Sequence, residues 1–356
     1  MKKRFLLFIA GIVLTLLVVN LFGLAEVTAA VAAANPLYIA AALLLQFVGM
    51  VLLAARMRLI GGPYLQFSKA FRVAMSGSFV SLITPVAKIG GEPLKIYMLK
   101  NSYGSSKATA VIAVDDFIEI FANLLVILVA VLFFAPSIAP GLTTIFVIFL
   151  IIVILILGGI MKLLLTPRWL KHLVDWFLNK ISKYQNVEKK DYAKMFYNAF
   201  TILLRRKGML VSALVITIVI KVIEFAIIWL AFTSIGAALP WREVVLLWSI
   251  IVVFLFVPWL PGSLGLVEFG ATSALIVLGL QSSIAASGIL INRFVSFWFV
   301  LLVGLIALYQ AKTKAELPKG LKLKDVNEKS FKIEKGSIES KGMEMGESKK
   351  KLKKRP

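Results

Sequence analysis

The sequence has no cysteine and a single histidine, His172, in 356 residues. Disulfides, thiolate nucleophiles and histidine-built metal clusters are therefore excluded. Charge is scarce: Asp, Glu, Lys and Arg make up 16% of the chain, against roughly 25% in an ordinary soluble domain. Acids are scarcer still, 18 against 40 Lys and Arg. A P-loop, a G-x-S-x-G elbow and an H-E-x-x-H helix are also missing from the sequence, so ATP-driven action by this chain is not expected. What fills the chain is uncharged: 5–55 is interrupted only by Glu26, and 120–161, 244–267 and 269–292 carry no charge. About 20 apolar residues cross a bilayer core as a helix, and in lipid each segment must satisfy its own backbone groups. The chain reads as an all-α polytopic membrane protein, with no large soluble domain to place.

Full spans are expected near 5–24, 36–55, 108–133, 142–161, 209–235 and 284–310. Met1-Lys2-Lys3-Arg4 precedes the first of them like a signal sequence, yet no small-x-small cleavage site with a polar exit follows. A retained first span is the reading. Pro136 and Pro140-Gly141 divide the run 120–161, which is too long for one helix. The membrane domain thus covers 1–310. Residues 311–356, rich in Lys, Glu, Gly and Ser, are expected to be a disordered tail, ending in a basic run that offers contact to anionic lipid.

Basic residues set the orientation. Segment 56–107 holds eight Lys or Arg against Glu92, loop 162–207 holds eleven against three acids, and the tail fifteen against seven. The opposing connections 25–35 and 134–141 hold none, and 236–243 has only Arg242. A multi-pass protein of the cell membrane with both termini cytoplasmic follows. The same distribution accounts for the basic excess, so nucleic acid is not an expected partner. Within loop 162–207, Trp169, Leu173, Trp176, Phe177 and Lys180 recur at helical spacing and suggest an interfacial helix.

Two stretches are interrupted. Residues 67–100 are broken by Pro85, Gly90, Gly91 and Pro93; residues 244–280 by Pro258, Pro261, Gly262 and Gly265. Each reads either as half-helices meeting at a break within the membrane or as two short spans joined by a loop. Pro63 lies 22 residues before Pro85 and Pro240 lies 21 before Pro261, and each second proline has a Glu seven positions on, Glu92 and Glu268. With a span before and after each stretch, the pattern predicts an inverted repeat, an arrangement that gives transporters two interconvertible gates.

The chemistry-bearing candidates gather at these places. Glu92 either caps the helix that Pro93 can start or joins Lys88 and Lys95 in a polar lining that meets phosphate. Glu268 runs directly into an apolar segment and needs a partner, water or a proton if it lies at depth. Arg293 sits inside the last span, where snorkelling is difficult. It is expected either to pair with Asp115, Asp116 or Glu119 across the repeat interface or to bind a lipid phosphate. Lys221 and Glu224, three apart, are expected to satisfy each other. Asp115-Asp116 invites Mg²⁺, but neighbours on a helix diverge and no second acidic motif has ligand spacing. No cofactor or metal is expected.

At Pro85, Gly91-Glu92-Pro93, Lys95 and Tyr97, then Pro261, Gly262, Gly265 and Glu268, then Arg293, the chain resembles the flippase-like integral membrane family that includes the transmembrane region of lysylphosphatidylglycerol synthases. The resemblance covers roughly 5–310. It departs at Asp115-Asp116, where many relatives carry Glu-Arg. It also lacks the soluble aminoacyl-transferase domain of the fused enzymes, so the chain looks like the lipid-translocating half alone. The resemblance implies lipid movement between leaflets.

The function expected is a lipid flippase or transporter, not an ATP hydrolase, whose substrate carries a phosphate headgroup. Arg293, Lys95 and Lys88 would neutralise the phosphate, and Glu92 and Glu268 would stabilise those cations or exchange protons. Two other readings stay open. One is an integral-membrane transferase on lipid-linked phosphate with Glu92 or Asp115 as general base. The other is an accessory protein that positions a lipid-synthesis enzyme.

Overall fold

A computed structural model describes residues 2–84, 89–133, 189–257 and 260–313, with scattered positions between 144 and 162. Helices α1 (Lys2–Leu21) and α2 (Leu24–Ala32) meet at 97°. Gly23 makes the corner at φ +98°, a conformation strained for any residue with a Cβ. The corner stacks Phe22 on Phe269, with ring centroids 6.2 Å apart, and buries Val27 beside Ala286. One straight span followed by a connection at 25–35 was the expectation. It is corrected here: that connection is largely helix, and Glu26, the one charge in the run, lies in the first turn of the second helix.

Helix α3 (Pro36–Gly61) starts where the Asn35 side chain accepts from the Leu37 N–H at 2.9 Å, with Pro36 in its first turn. It stops at Gly62, φ +83°. Helix α4 (Phe67–Ile83) follows, then a 3₁₀ turn (Ile89–Gly91), α5 (Glu92–Tyr103) and α6 (Ser105–Phe133). After the connection comes α7 (Lys189–Arg205), which packs along α6 and sets Phe196, Phe200 and Leu203 into the core. Then come α8 (Lys207–Thr233), α9 (Trp241–Leu255), a 3₁₀ turn (Pro261–Ser263) and α10 (Leu266–Val277). The last stretch, Ser282–Thr313, is continuous: α11 (Ser282–Arg293), a π turn (Phe294–Phe299) and α12 (Val300–Thr313).

Three described helices, Pro36–Gly61, Lys207–Thr233 and Ser282–Thr313, are long and apolar enough to cross a membrane, and the bent α1–α2 pair makes a fourth candidate. At 1.5 Å per residue, 26 residues of α3 reach about 39 Å, beyond the roughly 30 Å hydrocarbon core. Val211, Val215, Val219 and Val222 form an exposed apolar stripe on α8, a face suited to lipid rather than water. The chain is a multi-pass, all-α membrane protein. Its core is in two parts. One gathers α3–α7 with α12; the other gathers α8–α11 with the far end of α6.

Pro85, Lys88, Pro258, the expected interfacial segment from Trp169 to Lys180 and the tail beyond Thr313 lie outside the described residues. The described positions in the expected span 142–161 are helical, and Ile151, Ile152, Ile154 and Leu155 among them are exposed.

Candidate functional site: a polar cavity and its ion pairs

Helix α3 packs against α8, and α4 against both α12 and the second 3₁₀ turn. These contacts bring the two interrupted stretches to one place. A cavity of about 190 Å³ opens there. Ser81 and Thr84, at the end of α4, form part of its wall, and Gly262 and Ser263 of the second turn form another part. Asn292 and Arg293 at the end of α11, Gln46 on α3 and Glu224 on α8 add polar surface. A smaller cavity of about 100 Å³ shares Gln46 and Glu224 with it and reaches Ser78 and Glu119.

Local sequence explains the fit. Gly91 donates its N–H to Ser81 Oγ at 2.9 Å, and a Cβ there would overlap the Gly77 carbonyl oxygen, so the first turn lies directly on the α4 backbone. Gly262 has φ +59°, and a Cβ there would overlap the Phe297 ring. Gly90 is held against Thr84, Pro93 enters the first turn of α5, Pro261 opens the second 3₁₀ turn, and Gly265 (φ +79°) lies against Leu14 of α1.

Arg293 is 4% exposed, and Nε donates to Glu268 Oε1 at 2.8 Å while Nη2 donates to the Gly262 carbonyl at 2.7 Å. The guanidinium also lies 4.8 Å from the Phe297 ring centroid. Nη1 makes no hydrogen bond among the described residues. Both Glu268 oxygens are engaged, since Oε2 accepts from the Gly265 N–H at 2.6 Å. Pairing of Arg293 with Asp115, Asp116 or Glu119 is therefore corrected. The partner lies 25 residues back on α10, and Asp115 and Glu119 of α6 are taken by a different cation.

That cation is Arg56, which the charge pattern had assigned to a cytoplasmic segment. It is 1% exposed, with Nε 2.7 Å from Asp115 Oδ1 and Nη1 2.6 Å from Glu119 Oε2 and 2.9 Å from Thr217 Oγ1. Glu119 Oε1 in turn takes Lys221 Nζ at 2.8 Å. Lys221 also reaches Glu224 at 3.2 Å, and the Trp248 indole donates to Glu224 Oε2 at 2.7 Å. Lys221 and Glu224 do pair, but the shorter bond of Lys221 is to another helix. One chain of ion pairs thus ties α3, α6 and α8, and the Trp248 hydrogen bond joins α9 to its end.

Glu92 and Lys95 form a separate pair, Nζ to Oε1 at 2.9 Å, with Asp116 of α6 beside them. Glu92 Oε2 is buried without a hydrogen-bond partner. None of these three lines the cavity. Sequence reasoning missed Arg56 because the span was ended at the first charge. The usable signal was Gly61-Gly62-Pro63, a helix stop one turn and more beyond it.

Among known proteins, the family described as the lysylphosphatidylglycerol synthase TM region matches residues 6–304. A UPF0104 membrane protein of Methanothermobacter thermautotrophicus is 25% identical over 327 residues, 86% of this chain and 95% of its own length. One of Pyrococcus horikoshii is 25% identical over 85% of this chain and 95% of its own, and one of Methanocaldococcus jannaschii 26% over 89% and 98%. No solved structure matches the chain.

Proposed function

We propose, since this chain belongs to the family of the lysylphosphatidylglycerol synthase transmembrane region, that its cavity carries the phosphate headgroup of a membrane lipid from one leaflet to the other. The observation that supports this most is Arg293. It lies in the cavity wall with its charge balanced by Glu268 and with Nη1 open to form a charge-assisted bond to phosphate. Gln46, Ser81, Thr84 and Asn292 supply further hydrogen-bonding groups, and the lipid's tails stay in the bilayer.

The two halves are read as an inverted repeat. Helices α3, α4, α5 and α6 have 26, 17, 12 and 29 residues; α8, α9, α10 and the final stretch have 27, 15, 12 and 32. A 3₁₀ turn stands at the same place in each. The turns are breaks within the membrane, and the halves move against each other to open the cavity to either side. The Arg56 chain and the Glu92–Lys95–Asp116 cluster hold and release the interface. Both termini face the cytoplasm, where a lipid-synthesis enzyme can deliver its product, and this chain hydrolyses no ATP.

Reconstitution into vesicles tests the reading. Headgroup-labelled lipids are followed by quenching with a reagent that does not cross the membrane. Protein-dependent transfer is expected, slowed by Arg293→Lys, which keeps the charge opposite Glu268 but loses the planar fork. Folded protein that moves none of a panel of phosphate-bearing lipids overturns it.

A further inference from the structure

The Arg56 chain contains two cations, Arg56 and Lys221, and three carboxylates, Asp115, Glu119 and Glu224. One negative charge is in excess. Asp115 is almost wholly covered by its partner, with 2% of its side chain exposed, and Glu119 bridges both cations. Glu224 ends the chain. A third of its side chain is open, 34%, and it lines both cavities, including the one with Arg293. Its only cationic contact among the described residues is the shared Lys221, at 3.2 Å. The other carboxylates nearby are held by other cations. Glu268 uses both oxygens and balances Arg293. Glu92 and Asp116 share Lys95, which leaves a second negative charge in excess, but neither lines the cavity as Glu224 does.

Resting on the lipid-transfer reading, we propose that Glu224 is a proton-binding site that couples movement of an anionic phosphodiester lipid to a proton. The excess charge lies on a helix long and apolar enough to cross the membrane, where an unbalanced charge is strongly disfavoured. A headgroup phosphate at Arg293 brings a second negative charge into a cavity that already holds the surplus of Glu224. A proton taken up on the Glu224 carboxylate from the aqueous side that admits the lipid removes that surplus. The proton leaves to water on the far side with the lipid, and no bond other than O–H forms or breaks. A singly anionic headgroup and one proton cross together without net charge. A zwitterionic headgroup adds no charge and has no need of the proton. The Trp248 indole donates to Glu224 Oε2 at 2.7 Å and holds the side chain at the cavity wall.

The test uses the full chain in phosphatidylcholine vesicles with a trace of headgroup-labelled phosphatidylglycerol, the membrane potential clamped and a pH gradient imposed. Beyond the redistribution in protein-free vesicles, labelled phosphatidylglycerol should accumulate in the leaflet facing the alkaline side, while labelled phosphatidylcholine should not respond. Changing the clamped potential should leave the accumulation unaltered. Glu224→Gln keeps an acceptor for Trp248 and should abolish accumulation; Glu224→Asp should retain it. Wild-type transfer indifferent to the pH gradient, transfer that follows a sodium gradient instead, or accumulation that survives in Glu224→Gln would each overturn the proton site while leaving the lipid reading standing. No transfer of either labelled lipid, nor of any other in the panel of phosphate-bearing lipids, would overturn both.

Discussion

Arg56 bonds three side chains from two other helices while 1% of it is exposed. Its burial is tolerable because three of its five N–H donors meet an oxygen, two of them on carboxylates that balance its charge. Removing it alone leaves Asp115 uncompensated and Glu119 dependent on Lys221. Arg56→Met is therefore expected to destabilise the protein by about 3–5 kcal/mol, read as a lower unfolding midpoint in detergent. Adding Asp115→Leu should recover a large part, because it removes the stranded charge. Equal loss in single and double variants would argue that packing, not charge, is what Arg56 supplies. Glu268 is a second case of one side chain serving two elements: it caps the backbone at Gly265 and holds Arg293. A sequence shows the acid, but not that both its oxygens are taken.

At the scale of elements, the 3₁₀ turn before α5 depends on contact between two backbones. Gly91 has no positive φ to require glycine; its φ is −90°. What excludes a side chain is the Gly77 carbonyl, which belongs to a helix and cannot yield as a flexible side chain would. Gly91→Ala should therefore cost about 1–3 kcal/mol by overpacking and raise hydrogen exchange across α5. Gly104 is the contrast: φ is +76° and a Cβ would meet open space. Its ψ of 158° puts it in a region essentially reserved for glycine, so Gly104→Ala should lose about 1–3 kcal/mol of conformational energy while exchange in α5 stays low. If both variants loosened α5 alike, the turn would not be keyed to α4. The bent α1–α2 pair makes a similar point, since its corner is set by Gly23 and fixed by Phe22 on Phe269.

At the scale of the whole molecule, orientation is open to direct measurement because the chain has no cysteine to mask. Tyr64, 81% exposed just beyond α3, and Arg242, exposed at the start of α9, lie in connections that the basic-residue pattern assigns to opposite sides. In intact cells an impermeant maleimide should label Arg242→Cys and spare Tyr64→Cys, which should react only after the membrane is opened. Labelling of both from outside, or the reverse pattern, would refute the assigned orientation.

The amino-acid sequence determined the membrane class, because uncharged runs of this length have no stable home in water. It also located both interruptions, because proline and paired glycine leave their mark on the backbone locally: the helices on either side of Gly90-Gly91 and of Pro261-Gly262 do stop there. The family was legible from Gly91-Glu92-Pro93, Pro261-Gly262 and Arg293 as well. Which charge meets which was decided only in three dimensions. Arg56 lies 59 residues from Asp115, and Lys221 lies 102 from Glu119. Such pairings follow from α6 packing against both α3 and α8, and a one-dimensional charge pattern assigns an arginine near a span's end to the water. Likewise, the cavity exists because α4 meets the second turn and α3 meets α8, a property of packed surfaces that no single segment encodes.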